Sequence, residues 1–308
     1  MNSSGTTYMY PTLALSLFKE LNELKRIKSN TSNDLSFAEA AFAVAVEYCD
    51  SPNSDESIEQ LVIMFLAGSR LGFLNYNNLS SVGLTDDQIL NILRETIDSF
   101  HIELDALKIN LELKTSKNLV SFHNPKLRSN ELVNGLISQP RAGPTTPGKP
   151  RVVLYPVESH ADHCMMVAAY AFLLSPFYGS DPTDSFLIGL FHHLHNLTMP
   201  DSGYAGECLL GNHLTKSIKS ARSLAMSNLS SRTNSKLSCL FKEIEEASSP
   251  VAKAFHAADC LDRVLQMQYY ETAHSFSVTH AIEKLDLIHD GPVKSFQLDT
   301  LKSFGLIS

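Results

Sequence analysis

Apolar residues recur along most of this chain at the spacing of an α-helix. Over residues 12–28, a stripe with a spacing of three residues is formed by Leu15, Phe18, Leu21 and Leu24. The same periodicity predicts further helices over residues 36–49, 57–71, 85–100, 217–228 and 236–247. Convincing alternating patterns, which would predict β-strands, are not evident, so the expected fold class is all-α.

Local signals mark where two of these helices begin. Ser36 is followed three residues later by Glu39, which is the spacing of a capping box. Thr85 is a favourable N-cap, and the two aspartates after it lie in the first turn, where the helix dipole favours negative charge. Residues 102–113 fit both the helix and the strand template in part, and the choice stays open here.

A stretch rich in proline and glycine separates two regions of the chain. Residues 138–150 read S-Q-P-R-A-G-P-T-T-P-G-K-P, and their four prolines and two glycines exclude regular structure. The stretch is either a linker or an ordered loop over the mouth of a site. It divides an N-terminal helical region, residues 1–137, from a second helical domain, residues 151–308. The N-terminal region is a lid, a dimerisation unit or an added helical layer.

Composition and charge exclude several classes of protein. With 308 residues, 44% of them hydrophobic, the chain suffices for one large or two ordinary domains. The net charge of −8 and the scattered basic residues argue against binding of duplex nucleic acid. The same charge distribution still allows a small anionic ligand to bind. Five widely spaced cysteines without a C-x-x-C pair argue against a disulfide framework. No signal-peptide pattern is present and the longest apolar run, residues 165–177, is too short to span a bilayer, so we expect a cytoplasmic protein.

Three apolar helical segments carry imidazole and carboxylate groups. They are residues 157–174, V-E-S-H-A-D-H-C-M-M-V-A-A-Y-A-F-L-L, residues 191–201, F-H-H-L-H-N-L-T-M-P-D, and residues 256–270, H-A-A-D-C-L-D-R-V-L-Q-M-Q-Y-Y. Burying such groups costs free energy unless they are hydrogen-bonded, paired or bound to a metal. Any one of them has an ordinary structural explanation, but three in one half of the chain predict a metal site.

The candidate ligands follow from the pattern around each histidine and aspartate. His163 precedes the most apolar stretch, so its helix is expected to be central. His192 and His195 are three residues apart and share a helix face, whereas His193 points elsewhere. Asp259 follows two alanines that would let its helix approach its neighbours closely. Imidazole nitrogen with carboxylate oxygen is a common ligand set for Zn, Mn, Fe or Co.

The order of these residues resembles the H…HD…D pattern of the HD-domain metal-dependent phosphohydrolases, and most closely their 5′-deoxynucleotidase branch. The similarity lies in A-D-H-C-M-M-V-A around His163, G-L-F-H-H-L-H around His192 and A-A-D-C-L-D around Asp259, and covers roughly residues 151–271. The resemblance implies an HD-domain helical bundle whose three matched residues bind one divalent transition metal ion, Zn, Mn, Co or Fe. It also implies hydrolysis of a phosphoric ester.

The chain departs from that family pattern at two positions. His193 stands where the doublet has Asp, and because imidazole also binds metals, we expect His193 to be the fourth ligand. Asn196 stands where the branch has its catalytic Glu, and an amide cannot act as a general base. The branch's second catalytic carboxylate is matched by Asp201. His195, whose ordinary pKa lies near neutrality, and Glu207 are further candidates for acid–base work.

Two neighbours of Asp259 have predicted supporting roles. His256, one helical turn earlier, is a candidate for orienting the Asp259 carboxylate. Asp262, three residues later, is interpreted as a salt-bridge acid that pairs with Arg263 or Arg222.

The predicted function is hydrolysis of a nucleotide or another small phosphomonoester. Arg151 is the preferred phosphate-binding residue, with Arg141 and Lys149 as alternatives. Two other interpretations stay open, namely an iron-dependent HD-fold oxygenase or lyase, and a catalytically degenerate HD domain that binds a ligand or partner. The expected partner is a small phosphorylated substrate, without a membrane or a nucleic-acid duplex, and a homodimer is left open.

Overall fold

A computed structural model describes residues 12–28, 35–51, 58–113, 122, 130–274, 277–284 and 287–307 of the chain. Within these residues the chain forms helices joined by turns and loops, and its only extended pairings are two isolated bridges. The prediction of an all-α fold is therefore confirmed. None of the helices in the described part is long and apolar enough to cross a lipid bilayer.

The described residues form fifteen α-helices. In chain order they are α1 (Leu15–Asn22), α2 (Phe37–Cys49), α3 (Ile58–Leu71), α4 (Tyr76–Ser81), α5 (Asp86–Asp98), α6 (His101–Ala106), α7 (Glu131–Ser138), α8 (His160–Tyr178), α9 (Pro182–Phe191), α10 (Gly203–Leu210), α11 (Leu214–Met226), α12 (Ser231–Glu246), α13 (Pro250–His274), α14 (Val278–Lys284) and α15 (Lys294–Ser303).

The predicted helix starts at Ser36 and Thr85 are both confirmed. The Ser36 side chain accepts a hydrogen bond from the backbone N–H of Glu39, whose carboxylate accepts one of 2.8 Å from the backbone N–H of Ser36. Thr85 forms the same reciprocal pair with Gln88 at the start of α5. Residues 102–113, which the pattern left open, form the short helix α6 followed by irregular chain.

Helix α8 lies at the centre of the fold. All of its residues except Pro176 and Phe177 are buried, because α2, α9 and α13 pack around it. Gly189 on α9 permits a close approach of the two helices, since a Cβ there would lie 2.6 Å from the Cα of Ala168 on α8. A side chain at this position would therefore push α9, and the histidines that follow it, away from α8.

The N-terminal helices cover the same core as the helices of the second region. Buried side chains of α1, α2 and α3 belong to one continuous apolar cluster with those of α8, α9 and α13. The hydroxyl of Tyr170 on α8 donates a hydrogen bond of 2.7 Å to the carbonyl of Phe18 on α1. Among the three roles considered for the N-terminal region, this packing supports an added helical layer.

The proline-rich stretch begins with Ser138, which ends α7, and its residues 139–150 form a loop against the start of α8. Its backbone is held by a bond of 2.9 Å from the N–H of Arg141 to the carbonyl of Glu158. A second bond, of 3.1 Å, runs from the N–H of His160 to the carbonyl of Gln139. The loop therefore lies beside the first turn of α8.

Candidate metal centre

Three helices bring the four predicted ligands together. His163 lies in the first turn of α8, and His192 ends α9 with His193 directly after it. Asp259 lies in α13, which packs against both α8 and α9. His163 is completely buried, whereas the other three residues reach the wall of a cavity.

His163 lies close to two of the other predicted ligands. Its Nε2 lies 3.1 Å from Nε2 of His192 and 3.2 Å from Oδ1 of Asp259. One nitrogen each from His163, His192 and His193 lies within 4.8 Å of the others. The structure therefore groups three imidazoles and places the Asp259 carboxylate against one of them, from three widely separated stretches of the sequence.

Hydrogen bonds on the outer side of two rings determine which nitrogen faces this centre. His192 Nδ1 donates to the Gly189 carbonyl at 2.7 Å, and His163 Nδ1 donates to Oδ2 of Asp262 at 2.7 Å. In its neutral form each ring then presents the lone pair of Nε2 to the centre. Two lone pairs facing each other at 3.1 Å repel, and a metal cation bound by both nitrogens would remove that repulsion.

The arrangement fits a divalent metal ion. Two ligand atoms with metal bonds of about 2.0–2.1 Å in tetrahedral geometry lie about 3.3 Å apart. The distances of 3.1 and 3.2 Å from His163 to His192 and Asp259 are close to that separation. Imidazole and carboxylate donors suit Zn, Mn, Co and Fe.

Asn196 orients the His193 ring as a further candidate metal ligand. The Nδ1 of His193 contacts Oδ1 of Asn196 at 2.8 Å, and Asn196 Nδ2 donates to the Met199 carbonyl at 3.1 Å. Because the Asn196 Nδ2 group is bonded to Met199, the amide oxygen faces the ring and accepts a hydrogen bond from Nδ1 of His193. Nε2 of His193 is then free of a proton and can bind a metal ion. Burial lowers the pKa of His192 and of His193 well below the ordinary range, so both rings are neutral, which is the state that binds a metal.

Asp259 supplies the negative charge at this centre. Burial alone would raise its pKa, but contact with His163 and the charge of Arg263 outweigh burial and hold the pKa well below its usual range. Arg263 Nη1 lies 3.5 Å from Oδ2 of Asp259. His256, predicted to orient this carboxylate, instead contacts the Ile244 carbonyl at 3.1 Å.

A cavity of about 260 Å³ opens onto the candidate metal centre. His192, His193 and Asp259 form part of its wall. The loop of residues 139–150 and helix α10 supply another part, so the loop lies at the site as one of its two predicted roles requires.

Two carboxylates in the cavity wall, Asp201 and Glu207, have different electrostatic environments. Burial would raise the pKa of Asp201, but bonds of 2.8 Å from the backbone N–H groups of Ala142 and Gly203, together with the charge of Arg141, lower it below the ordinary value. Burial and the charge of Asp201 raise the pKa of Glu207. Opposite shifts in neighbouring carboxyl groups are typical of a base and an acid that work as a pair.

His195 and Arg151, which were predicted to act on the substrate, lie outside this cavity wall. Burial and the charge of Arg222 lower the pKa of His195 to about 4, so the near-neutral pKa that made it a candidate base is absent. Arg151 is exposed and donates to the carbonyls of Ala142 and Ser202 at 3.3 and 3.1 Å. It supports the loop from outside, whereas Arg141 within the loop lines the cavity.

Sequence reasoning missed Lys25. Asp262 is a salt-bridge acid as predicted, but it pairs with Lys25 Nζ at 2.8 Å and not with Arg263 or Arg222. Lys25 is buried and comes from the N-terminal layer, 237 residues before its partner. No local signal identifies it, because a lysine at the end of an amphipathic helix ordinarily predicts an exposed position.

Comparison with known protein families matches residues 136–292, about half of the chain, to the HD domain family. The matched segment contains all four predicted metal ligands and extends beyond the stretch on which the resemblance was based. No curated protein and no solved structure matches the chain. HD domains bind divalent metals and are commonly metal-dependent hydrolases, in agreement with the cluster of histidines described above. The chain therefore belongs to the HD domain family.

Proposed function

We propose that this chain is a metal-dependent phosphohydrolase that acts on a nucleotide or another small phosphomonoester. One observation carries the proposal: the same small cavity is bordered by three of the candidate metal ligands and by the half-buried Arg141, whose Nη1 is an unused hydrogen-bond donor. A divalent metal held by His163, His192, His193 and Asp259 would polarise a phosphoryl oxygen and lower the pKa of a water molecule. The residues around the metal would then position the ester and transfer protons to and from the reacting groups.

Arg141 is suited to hold the phosphate. Its Nη1 is buried and has no hydrogen-bond partner among the described residues. Buried donors are normally paired, and a guanidinium matches the geometry of a phosphate. Burial would lower the pKa of Arg141, but Glu158 and Asp201 raise it above its ordinary value, so the group stays charged. We therefore assign to Arg141 the role expected of Arg151, with Arg263 as the second cation in the wall.

Asp201 and Glu207 are suited to the proton transfers. The low pKa of Asp201 keeps it ionised, so it can accept a proton from an attacking water molecule. The raised pKa of Glu207 favours the protonated form, which can donate to the leaving oxygen. Asn196 occupies the position of the family's catalytic Glu, but it holds His193 in place. Asp201 and Glu207 therefore take over the proton transfers.

The size and lining of the cavity support a small substrate. Its volume of about 260 Å³ lies just below the usual range for ligand pockets, which begins at about 300 Å³. Tyr204 and His289 stack in its wall with ring centres 4.3 Å apart. Such an aromatic surface suits a nucleobase or another planar group next to the phosphate.

A metal-reconstitution assay tests the proposal. Protein stripped with a chelator is reloaded with Zn²⁺, Mn²⁺, Co²⁺ or Fe²⁺ and assayed for phosphate release from nucleoside monophosphates and sugar phosphates. We expect release with at least one metal, its loss in Asp259→Asn, and its retention in Asp290→Asn, a matched change of an exposed aspartate. No release with any of the four metals would contradict the proposal.

An iron-dependent oxygenase or lyase is the second candidate function. It is favoured by the donor set, since three imidazoles and a single carboxylate resemble the His-rich sites of non-haem iron enzymes. Oxygen uptake by the anaerobically purified, iron-loaded protein discriminates between the two functions. Phosphate release without oxygen uptake supports the hydrolase, and a protein with neither activity supports a degenerate HD domain that binds a ligand or partner.

A further inference from the structure

Lys25 lies beneath the candidate metal centre although it belongs to the N-terminal layer. It ends a 3₁₀ turn, Glu23–Lys25, that follows α1, and its side chain is only 3% exposed. It lies outside the segment that matches the HD domain, residues 136–292. Burying an ammonium group is costly unless it is paired, so its contacts require a physical account.

One contact of Lys25 leads to the metal ligand His163. Lys25 Nζ lies 2.8 Å from Oδ1 of Asp262, and Oδ2 of the same carboxylate accepts the hydrogen bond of 2.7 Å from His163 Nδ1. Asn22, from α1, donates a further bond of 3.2 Å to Asp262. The N-terminal layer thus fixes the carboxylate that determines the orientation and tautomer of His163.

A second contact leads to the guanidinium of Arg141. Lys25 Nζ lies 2.5 Å from Oε1 of Glu158, and Oε2 of this carboxylate lies 3.6 Å from Nε of Arg141. Glu158 is 11% exposed and lines the same cavity as Arg141. One buried ammonium therefore holds two carboxylates, each of which contacts a different functional side chain.

We propose that Lys25 is a positioning residue that aligns the metal ligand His163, through Asp262, with the anion-binding Arg141, through Glu158. The inference rests on the proposed function, because it assigns a shared support to its metal and phosphate sites. It makes the N-terminal layer part of the active centre. A cation between the two carboxylates also prevents their mutual repulsion from displacing either one.

The two sets of contacts made by Lys25, through Asp262 to His163 and through Glu158 to Arg141, are called its two arms. Each arm can be tested by a binding measurement of its own. Affinity is measured for Zn²⁺ by competition with a chromogenic chelator, and for inorganic phosphate on the zinc-loaded protein. Lys25→Met is expected to weaken both, with zinc affinity falling about 10- to 100-fold, as for other residues that support metal-bound histidines. Asp262→Asn is expected to weaken zinc binding, while Glu158→Gln weakens phosphate binding and leaves zinc binding unchanged.

A matched control separates positioning from general destabilisation. Thr233→Val removes another buried hydrogen bond of the N-terminal layer, from the Thr233 hydroxyl on α12 to the Cys49 carbonyl on α2, and neither residue lines the cavity. It is expected to lower the melting temperature while zinc and phosphate affinities stay at the wild-type values.

The outcomes against the proposal are distinct. A folded Lys25→Met protein with wild-type affinity for zinc and phosphate overturns the role of Lys25. A wild-type protein that binds no divalent metal overturns the proposed function and this inference together. If Lys25→Met does not fold, the arm variants decide: equal losses of zinc affinity in Asp262→Asn and Glu158→Gln, or no loss in either, would overturn the division into two arms.

Discussion

The hydroxyl of Ser36 donates a hydrogen bond of 2.5 Å to Oδ1 of the Asp162 carboxylate. Ser36 caps α2, and Asp162 completes the capping box of Ser159 at the start of α8. Two helix starts from opposite halves of the chain are thereby tied together. Because Asp162 directly precedes His163, the bond links the N-terminal layer to the turn that carries a candidate metal ligand.

Replacement of Ser36 by Ala should therefore destabilise the protein more than loss of an ordinary cap. The change removes the α2 cap, worth about 1 kcal/mol, and leaves a buried carboxylate with one hydrogen bond fewer, so we expect a loss of about 2–3 kcal/mol. Urea denaturation measures it. Thr85→Ala, which removes an equivalent but exposed cap on α5, is the control and should cost about 1 kcal/mol. Equal losses in the two variants would show that the contact with Asp162 contributes nothing.

Replacement of His193 by Ala tests the least conventional ligand. We expect zinc affinity to fall at least about 10-fold, because the donor that replaces the doublet Asp is lost. His195→Ala is the control: this neighbouring histidine is also largely buried but lies outside the cavity wall, and zinc affinity should be retained. Metal content and melting temperature are measured on the same samples. Full zinc occupancy in a destabilised His193→Ala protein would refute the ligand assignment.

Local patterns predicted those parts of the fold that depend on near neighbours. The Ser36 and Thr85 caps were predictable because a capping box joins residues three positions apart. The candidate ligands His163 and Asp259 could be chosen from the sequence because a polar group in an apolar helix requires a partner. Lys25 was not, since its partners Glu158 and Asp262 lie 133 and 237 residues away, and the packing of α1 on α8 and α13 brings them within reach.

The choice between Arg141 and Arg151 shows a second limit. Both precede the first metal motif, and the shorter separation from that motif favoured Arg151. The difference arises from the path of the loop, which carries Arg141 into the cavity wall and leaves Arg151 outside, bonded to backbone carbonyls. Loop paths of this kind depend on contacts that no short-range pattern encodes.

The low pKa of His195 makes the metal-free protein less stable in acid. Its folded pKa of about 4 lies below the ordinary value of 6.5, so the unfolded chain binds a proton first and stability falls as pH decreases between these values. From about pH 7.5 to about pH 5 this histidine should account for a loss of about 2 kcal/mol. His195→Gln lacks the titrating ring and should lose less over the same range. Urea denaturation at both pH values measures the difference, and parallel losses in the two proteins would contradict the assigned shift.

Exchange of Arg141 for Gln should weaken binding of the substrate phosphate. A hydrogen bond to a charged group is worth about 1.5–3 kcal/mol, so we expect KM for a phosphomonoester to rise roughly 10- to 100-fold. Arg151→Gln removes the same charge from the outer side of the loop and should change KM by less than about 3-fold. Steady-state kinetics on the metal-loaded proteins compares them. A larger effect at Arg151 would restore the assignment that sequence position favoured.

The opposite pKa shifts of Asp201 and Glu207 predict a bell-shaped pH profile for hydrolysis. Asp201 must be ionised to accept a proton, so activity falls as pH decreases through its lowered pKa. Glu207 must be protonated to donate, so activity falls as pH increases through its raised pKa. Glu207→Gln should remove the alkaline limb and lower kcat by about 10²- to 10⁴-fold, while Asp201→Asn should remove the acid limb.

A change of leaving group tests the role of Glu207 as the general acid more directly than the pH profile does. A nitrophenolate leaves without protonation, whereas the alkoxide of a nucleoside or sugar does not, so Glu207→Gln should impair hydrolysis of a nitrophenyl phosphate far less than that of an alkyl phosphate. Asp201→Asn should impair both esters alike, because activation of the attacking water does not depend on the leaving group. Equal losses for the two esters in Glu207→Gln would place this carboxylate in substrate binding. Retention of the alkaline limb would require that another group donates the proton.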